Sequence, residues 1–344
     1  MLGLFAKEEL VGVDVGSTAV RLVQLKKGVG SQRSLVSFGS AQTPEKIAQS
    51  DSKVDRQKVA QIIKQLVKTS HISSDKVVAA LPASDVFTTV IKMPPMSAGE
   101  LAKAAHYQAE QNIPLKIEDV KIDWQVVREN PATKETAIMI IAAPKTKIEK
   151  AMELMDMADL DLTYLETTPI AVARALSKIN DPLIMVVDMG GASTEISVIE
   201  NGIVSHVRSL PAAGFSITGV IAKNLGLDTA QAEQFKRKFG LSQDKLEGQV
   251  FKTMKPVLDT IIDEINRSAH YYQEQYGSNV QKIVVTGGSA HLIELFSYLK
   301  TAFDREVVFG NAWSNISYQP NIAEKLNQSA LEFACAVGLA MREG

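Results

Sequence analysis

The chain contains 344 residues with a formal net charge of −2, and 45% of the residues are hydrophobic and 22% charged. This length allows roughly two domains, and the composition is that of a folded protein rather than a disordered one. The small net charge gives no reason to expect nucleic acid or an anionic membrane surface as the main partner, and a single cysteine, Cys335, excludes an intrachain disulfide.

The first part of the chain predicts a hairpin followed by a strand, a helix and a buried strand. Residues 10–25 form two apolar runs separated by a tight Gly-Ser turn, and residues 33–41 continue the strand pattern. Residues 54–70 carry apolar side chains at the i, i+3 and i+4 spacing of a half-buried helix. Residues 77–82 are continuously apolar, as is typical of a strand covered on both faces.

Residues 85–160 predict a separate α+β block with the element order β-α-β-β-α. Its first helix begins with a capping box formed by Ser97 and Glu100, and Pro114 ends it. The two strands that follow flank a PATKE turn. We therefore expect a small inserted subdomain.

The second half repeats the hairpin and then becomes mainly helical. Residues 183–209 predict strands with turns at Gly-Gly and Asn-Gly. A mostly helical part follows over about 215–277, and residues 282–300 then predict a strand, a double-glycine turn and a helix. The sequence ends with a helix that is rich in small residues.

Each of the two hairpins places an aspartate, Asp14 or Asp188, at the end of a strand just before a turn of small residues. Consecutive amides in such a turn form an anion-binding concavity, but a carboxylate would repel a phosphate. The pattern makes sense if Mg²⁺ and its waters lie between them, since Mg²⁺ prefers carboxylate and phosphate oxygens. The alternative is that each aspartate only supports its own turn.

The two turns, DVGSTAVRL and DMGGASTEI, resemble the phosphate loops of the actin and sugar-kinase superfamily. VVTGGSAHLIELF is similar to its adenosine loop, ETTPIAVARAL to its first connecting helix and ALEFACAVGLAM to its closing helix. The resemblance implies an α/β actin-like ATPase fold, with two RNase H-like lobes around a nucleotide cleft that holds ATP and Mg²⁺. AEQFK is similar to an element whose Glu and Lys reach the ribose and adenine, although such a pair is often a surface helix pair.

The residues that the resemblance assigns to the nucleotide are Gly16, Ser17, Thr18, Arg21, Gly190, Gly191, Ala192, Ser193, Glu233, Lys236, Gly287, Gly288 and Ser289. It assigns Asp14 and Asp188 to Mg²⁺, through water.

The block YQAEQNIPLKIEDVKIDWQVV, together with the opening hairpin, is similar to the PilM family of type IV pilus assembly proteins. The boundaries this resemblance implies are a first lobe of residues 1–84, 161–185 and 328–344, an inserted FtsA/PilM-type subdomain of residues 85–160, and a second lobe of residues 186–327. A related FtsA cell-division protein would be expected to continue into a linker and an amphipathic helix, whereas this sequence stops after the closing helix. A small-molecule kinase of the superfamily is the other alternative, but we find no convincing catalytic aspartate for one.

The resemblance also implies a function and a partner. PilM-like proteins bind the short cytoplasmic N-terminal segment of the inner-membrane protein PilN, so we expect a nucleotide-biased scaffold held at the inner membrane through that partner. The first residues, MLGLFAKEEL, lack a basic leader, and no run approaches the roughly 18 apolar residues of a membrane span. We therefore expect a cytoplasmic protein.

Hydrolysis of ATP is expected to be slow or absent. The superfamily places a Glu or Gln that orients the attacking water just before the proline of the first connecting helix. Here that position is Thr168, a poor base, and Glu166 lies two residues earlier. The sequence therefore predicts at most a weak ATPase.

Overall fold

The computed structural model describes residues 9–28, 32–44, 47, 50–130 and 135–343. The first eight residues lie outside the described residues, and with them most of the segment on which the expected lack of a leader depends. Most of the predicted PATKE turn also lies outside them. The strands are β1 (Val11–Val15), β2 (Ala19–Lys27), β3 (Arg33–Gln42), β4 (Lys76–Leu81), β5 (Phe87–Met93), β6 (Val120–Asn130), β7 (Glu135–Pro144), β8 (Asp161–Thr167), β9 (Ile184–Met189), β10 (Thr194–Glu200), β11 (Ile203–Leu210), β12 (Lys282–Thr286), β13 (Glu306–Phe309) and β14 (Ile316–Ser317). The helices are α1 (Lys53–Thr69), α2 (Ala98–Asn112), α3 (Lys145–Met157), α4 (Thr168–Leu176), α5 (Gly214–Leu225), α6 (Thr229–Phe239), α7 (Gln249–Tyr276), α8 (Leu295–Ala302), α9 (Ala323–Ser329) and α10 (Ala334–Ala340).

The chain divides into two compact units. Unit 1 contains Met1–Leu81, Glu149–Ala175 and Asn311–Gly344, and unit 2 contains Pro82–Ile148 and Leu176–Gly310.

Each unit contains a sheet with the same five-strand topology. In unit 1 the order is β3-β2-β1-β4-β8, with β14 added at the edge beside β3. In unit 2 the order is β11-β10-β9-β12-β13. In both sheets the first three strands are antiparallel neighbours and the last two join in parallel. This repetition confirms the predicted two-lobed α/β fold and places the β1–β2 and β9–β10 turns at equivalent positions.

The core of unit 1 lies between its sheet and helices α1 and α3. Val13 and Leu22 of the first hairpin pack with Ile63 of α1 and Met155 of α3, and all four are essentially inaccessible to solvent. Val77, Val78, Ala79 and Leu81 of β4 are buried, which agrees with its prediction as a strand covered on both faces.

The inserted segment forms its own layer within unit 2. Strands β5, β7 and β6 make an antiparallel sheet in that order, and α2 covers it with the fully buried Ala105 and Ala109. The predicted capping box is present, since the Ser97 side chain accepts from the Glu100 amide and the Glu100 carboxylate accepts from the Ser97 amide. The predicted element order β-α-β-β-α is therefore confirmed.

The boundaries of the units differ from the predicted ones because packing crosses the sequence breaks. Residues 149–160 were assigned to the insert, yet Met155, Ala158 and Leu160 belong to the unit 1 core. The segment 161–185 was assigned wholly to the first lobe, but β9 begins at Ile184 and pairs in the unit 2 sheet. Unit 1 resumes at Asn311 rather than at residue 328, and β14 pairs with β3.

None of the helices in the described part of the chain combines the length and the apolar character needed to cross a membrane.

Helix α10 packs so closely that two positions require glycine. A Cβ on Gly12 of β1 would overlap the Ala336 carbonyl oxygen, and one on Gly338 would overlap the Ala171 carbonyl oxygen of α4. These are contacts with backbone, which cannot move away as the end of a flexible side chain can. The small residues of the closing helix therefore let it pack directly on β1 and α4.

We expect Gly338→Ala to lower the free energy of unfolding by about 3 kcal/mol, or to prevent folding, because the added methyl group collides with backbone. Urea denaturation measures this change. Gly219→Ala is the matched control, since Gly219 is an exposed helical position with no atom within 4 Å of an added Cβ; it should be neutral or slightly stabilising. Equal midpoints for the two variants would contradict the packing described for α10.

Candidate functional site

The turn between β1 and β2 is tight and lies at the surface of unit 1. The Gly16 amide donates to the Ala19 carbonyl oxygen at 3.0 Å, and a Cβ on Gly16 would meet that oxygen at 3.0 Å. Ser17 is half-buried and Thr18 exposed. The structure thus brings the predicted residues Gly16, Ser17 and Thr18 together in one turn, directly after Asp14 and Val15.

Asp14 is paired with a cation of its own hairpin. Arg21 lies opposite Asp14 in the β1–β2 register, and its guanidinium is 3.6 Å from the Asp14 carboxylate and 2.8 Å from that of Glu332. Burial raises the pKa of Asp14, while Arg21 and a hydrogen bond with the Cys335 side chain act in the opposite direction. Arg21 is 7% exposed and committed to two carboxylates, so its predicted contact with phosphate would require these pairs to rearrange.

The equivalent turn in unit 2 is held by backbone hydrogen bonds from the start of α5. Within the turn, the Gly190 amide donates to the Ser193 carbonyl oxygen at 3.0 Å. The Gly214 amide donates to Gly190 O at 3.2 Å, and the Phe215 amide donates to Gly191 O at 2.7 Å. These bonds fix the turn carrying Gly190, Gly191, Ala192 and Ser193 against the first turn of the helix.

The predicted adenosine loop joins the same cluster. The Ser289 hydroxyl donates to the Gly190 carbonyl oxygen at 2.7 Å. Gly287 has a φ of +91°, and a Cβ there would overlap the Asp188 carboxylate and lie 2.5 Å from Met189 O. Gly288, in contrast, is exposed and has no atom within 4 Å of an added Cβ. Gly287 is therefore required by close packing on the β9 strand end, while Gly288 borders open space.

The Glu-Lys pair of α6 completes the cluster. The Lys236 ammonium donates to Gly214 O at 3.1 Å, to the Thr218 hydroxyl at 2.9 Å and to the Glu233 carboxylate at 2.6 Å. Lys236 is only 7% exposed, which distinguishes this pair from an ordinary surface helix pair. It ties α6 to the segment that holds the glycine turn.

Glu233 remains partly accessible and is held ionised. Burial alone would raise its pKa, but hydrogen bonds from Lys236, Thr218 and Arg237 outweigh burial and lower the pKa of Glu233 to about 2. Its carboxylate is a charged acceptor at neutral pH, with about a third of the side chain open to solvent. Such a group can accept hydrogen bonds from sugar hydroxyls, whereas the Lys236 ammonium already donates to three acceptors within the protein.

Glu166 does not occupy a position from which it could activate water. Its side chain is 5% exposed and pairs with both guanidinium nitrogens of Arg174, at 2.7 and 2.8 Å, and with Arg342 at 2.8 Å. Thr168 begins α4 and donates its hydroxyl to the Leu81 carbonyl oxygen at 3.3 Å. Glu166 would have to leave its ion pairs with both arginines before it could orient a water, so its proposed role in place of the water-positioning residue stays a prediction.

The residues present fit a nucleotide better than they fit a dedicated metal site. Within the described ranges, no group of three or more His, Cys, Asp or Glu side chains is arranged to hold a metal ion. Gly287 is closely packed on the end of β9 that carries Asp188, and the neighbouring Gly288 borders open space. An aspartate at each strand end fits Mg²⁺ held through water and by the phosphates themselves, and the Asp14 carboxylate also lies 3.6 Å from the Arg21 guanidinium.

Several residues that contact the predicted site residues received no assignment from the sequence. Gly214 and Thr218 supply the carbonyl and hydroxyl oxygens that bind Lys236, but a glycine and a threonine in a helix give no distinctive sequence signal. Glu195 could have been noticed, since it is a charged residue inside an otherwise apolar strand. Glu332, which pairs with Arg21, lies 311 residues from it in sequence and gives no local signal.

Comparison with curated proteins finds partial relatives. The chain is 29% identical to the cell division protein FtsA of Neisseria meningitidis over 157 residues, which is 43% of this chain and 38% of that protein. It is 26% identical over 146 residues to the ethanolamine utilization protein EutJ of Escherichia coli, covering 42% of this chain and 47% of EutJ. The chain thus spans less than half the length of the curated relatives it matches.

Solved structures match over nearly the full length. A chain of the PilM-PilN type IV pilus biogenesis complex aligns with a TM-score of 0.84 and 26% identity, covering 98% of both chains. MreB5 of Spiroplasma citri bound to AMPPNP aligns with a TM-score of 0.54 and 13% identity over 96% of this chain and 94% of that one, which shows the shared fold alone. The model of the family described as type IV pilus assembly protein PilM matches residues 12–344, and the chain therefore belongs to that family.

Proposed function

We propose that this protein is an ATP-binding, actin-like scaffold of the type IV pilus assembly complex at the inner membrane. Its partner is the short cytoplasmic N-terminal segment of a PilN-like membrane protein, through which it is held at the membrane surface. The observation that carries the proposal is the likeness, over 98% of both chains, to a chain of a PilM-PilN complex.

Support for ATP comes from unit 2. The β9–β10 turn, the start of α5, the Glu-Lys pair of α6 and the Gly287–Ser289 loop are joined by one continuous set of hydrogen bonds. These are the segments to which the superfamily resemblance assigns phosphate, ribose and adenine. The fold neighbour MreB5 was solved with AMPPNP bound. The same proposal gives Gly16, Ser17 and Thr18 of unit 1 a phosphate-binding role.

Each group in this proposal has a defined task. The turn amide of Gly191 binds phosphate oxygens, since the Gly190 amide already donates to the Ser193 carbonyl oxygen. The ionised Glu233 accepts hydrogen bonds from the ribose. Asp188 binds the waters of Mg²⁺, which supplies charge neutralisation for the phosphates when it is bound. Lys236 positions Gly214 and Glu233 rather than contacting the nucleotide. With cleavage slow, the nucleotide acts by favouring one conformation, to the extent that its affinity for two conformations differs.

The partner is tested with a synthetic peptide that copies the N-terminus of a PilN-like protein encoded in the same organism. Fluorescence anisotropy should show saturable binding with a dissociation constant on the order of 1 µM. A scrambled peptide of the same composition is the control. If the peptide does not bind either with or without Mg-ATP, the proposed scaffold function is refuted.

Nucleotide binding is tested at Gly288. Gly288→Leu should weaken Mg-ATP binding at least about tenfold in titration calorimetry. No protein atom lies within 4 Å of an added Cβ at Gly288, so the new side chain starts into the open space of the predicted adenosine loop. Gly99→Leu is the matched control, since Gly99 is also exposed with no atom within 4 Å of an added Cβ and lies in α2. Unchanged affinity in a folded Gly288→Leu protein would refute the assigned adenosine contact.

Turnover should be far below that of an ordinary enzyme. We expect phosphate release on the order of 0.1 s⁻¹ or less, against a median of about 10 s⁻¹ for enzymes in general, because Glu166 is fixed by arginines and Thr168 is a poor base. Gly288→Leu, purified in parallel, reports any contaminating ATPase. A rate near the enzyme median that this variant abolishes would show that a catalytic residue has been missed.

A further inference from the structure

A buried glutamate lies between the proposed nucleotide turn and the start of the inserted subdomain. Glu195 belongs to β10, is 6% exposed, and lies directly opposite Asp188 in the β9–β10 register. One of its carboxylate oxygens accepts a hydrogen bond from the Ala83 amide at 2.7 Å. All three residues belong to unit 2. No role in phosphate or metal binding was assigned to Glu195 above.

The amide that Glu195 binds is the first one of the unit 2 segment Pro82–Ile148, which contains the inserted strands β5, β6 and β7. Ala83 follows Pro82, which has no N–H, and begins a 3-10 turn of three residues, Ala83–Asp85. The first amides of a helical turn lack partners within the turn, so the Glu195 carboxylate caps this turn from a distant strand. The last residue of the turn, Asp85, pairs with Lys147 at 2.9 Å. The Glu195 bond therefore acts where the two ends of the segment Pro82–Ile148 are joined by the Asp85–Lys147 pair.

The position of Glu195 beside Asp188 makes this bond sensitive to charge. Side chains of residues directly opposite on antiparallel strands lie on one face, with Cβ atoms about 5 Å apart, and like charges there repel. The carboxylate of Asp188 therefore favours the arrangement in which Glu195 is turned towards the Ala83 amide. A cation beside Asp188 reverses the balance, since it attracts Glu195 and weakens the bond to Ala83.

We propose that Glu195 is a positioning residue that couples the charge state of the nucleotide turn to the start of the inserted subdomain. This inference rests on the proposed function, because the cation that changes the balance arrives with the nucleotide. Without Mg-ATP, Glu195 holds the 83–85 turn. With Mg-ATP bound, the bond weakens and the turn is released. The two states differ in their interaction with the nucleotide, as any ligand-driven shift requires.

Hydrogen–deuterium exchange of the full chain, followed by mass spectrometry of peptides that cover Ala83–Asp85, tests the coupling. In the wild type, saturating Mg-ATP should accelerate exchange in this segment about fivefold. Glu195→Gln keeps an acceptor for the Ala83 amide but removes the charge, so the segment should stay protected and lose its response. Glu195→Met removes the acceptor, so exchange should be fast with and without nucleotide.

Glu200→Gln is the control, because it makes the same substitution at the other end of β10, where Glu200 pairs with Arg128 and Tyr272 instead. Its response to Mg-ATP should equal that of the wild type. A Glu195→Gln protein that binds Mg-ATP and still responds fully would show that the residue is only structural, and would overturn the inference.

Calorimetry on the same samples separates this inference from the function on which it rests. If the wild type binds Mg-ATP but exchange at residues 83–85 does not change, the coupling is refuted while the nucleotide site stands. If the wild type does not bind Mg-ATP, the nucleotide site is refuted and the coupling falls with it. If Glu195→Met fails to fold, Glu195→Gln alone decides whether Glu195 couples the nucleotide turn to residues 83–85 or is only structural.

Discussion

The three hydrogen bonds that the Lys236 ammonium donates are the interaction on which the candidate site depends. They join α6 to Gly214 at the start of α5, and the Gly214 amide in turn holds Gly190 in the turn after β9. A buried ammonium is costly unless it is fully hydrogen-bonded and paired. Here the ionised carboxylate of Glu233 provides the pair. A substitution of Lys236 would therefore disturb the glycine turn indirectly, through Gly214.

Much of the fold was predictable because it is encoded locally. The hairpins, the capping box of α2 and the buried strand β4 all follow from residues close in sequence. The boundaries of the two units could not be predicted from the sequence, because they depend on which sheet surface each helix covers. Nothing in residues 149–160 indicates that Met155 packs with Val13 and Ile63 rather than with the preceding strands. The α+β element order of the insert is correct, yet its last helix largely belongs to another core.

The candidate site also has features that the sequence predicts and features that it does not. Glycine turns carry a signal that can be read from sequence, because glycine adopts positive φ without steric cost and allows close backbone approach. Gly287 shows both features. The partners of charged side chains carry no such signal. Arg21 was assigned to phosphate but is paired with Asp14 and Glu332, and Glu166 was considered for water but is paired with two arginines. The Arg21–Glu332 and Glu166–Arg342 pairs join residues 311 and 176 positions apart, and such pairs are settled only by the fold.

The duplicated hairpins differ in a way that assigns them unequal tasks. Asp14 lies opposite Arg21, whereas Asp188, at the equivalent strand end, lies opposite Glu195. The first turn thus carries its own cation, and an added Mg²⁺ would have to compete with a guanidinium. The second turn places two carboxylates on one face of its hairpin. The two copies of the motif therefore differ in the charge opposite the aspartate, an arginine in the first and a glutamate in the second, and through Glu195 the second copy also accepts a hydrogen bond from the Ala83 amide.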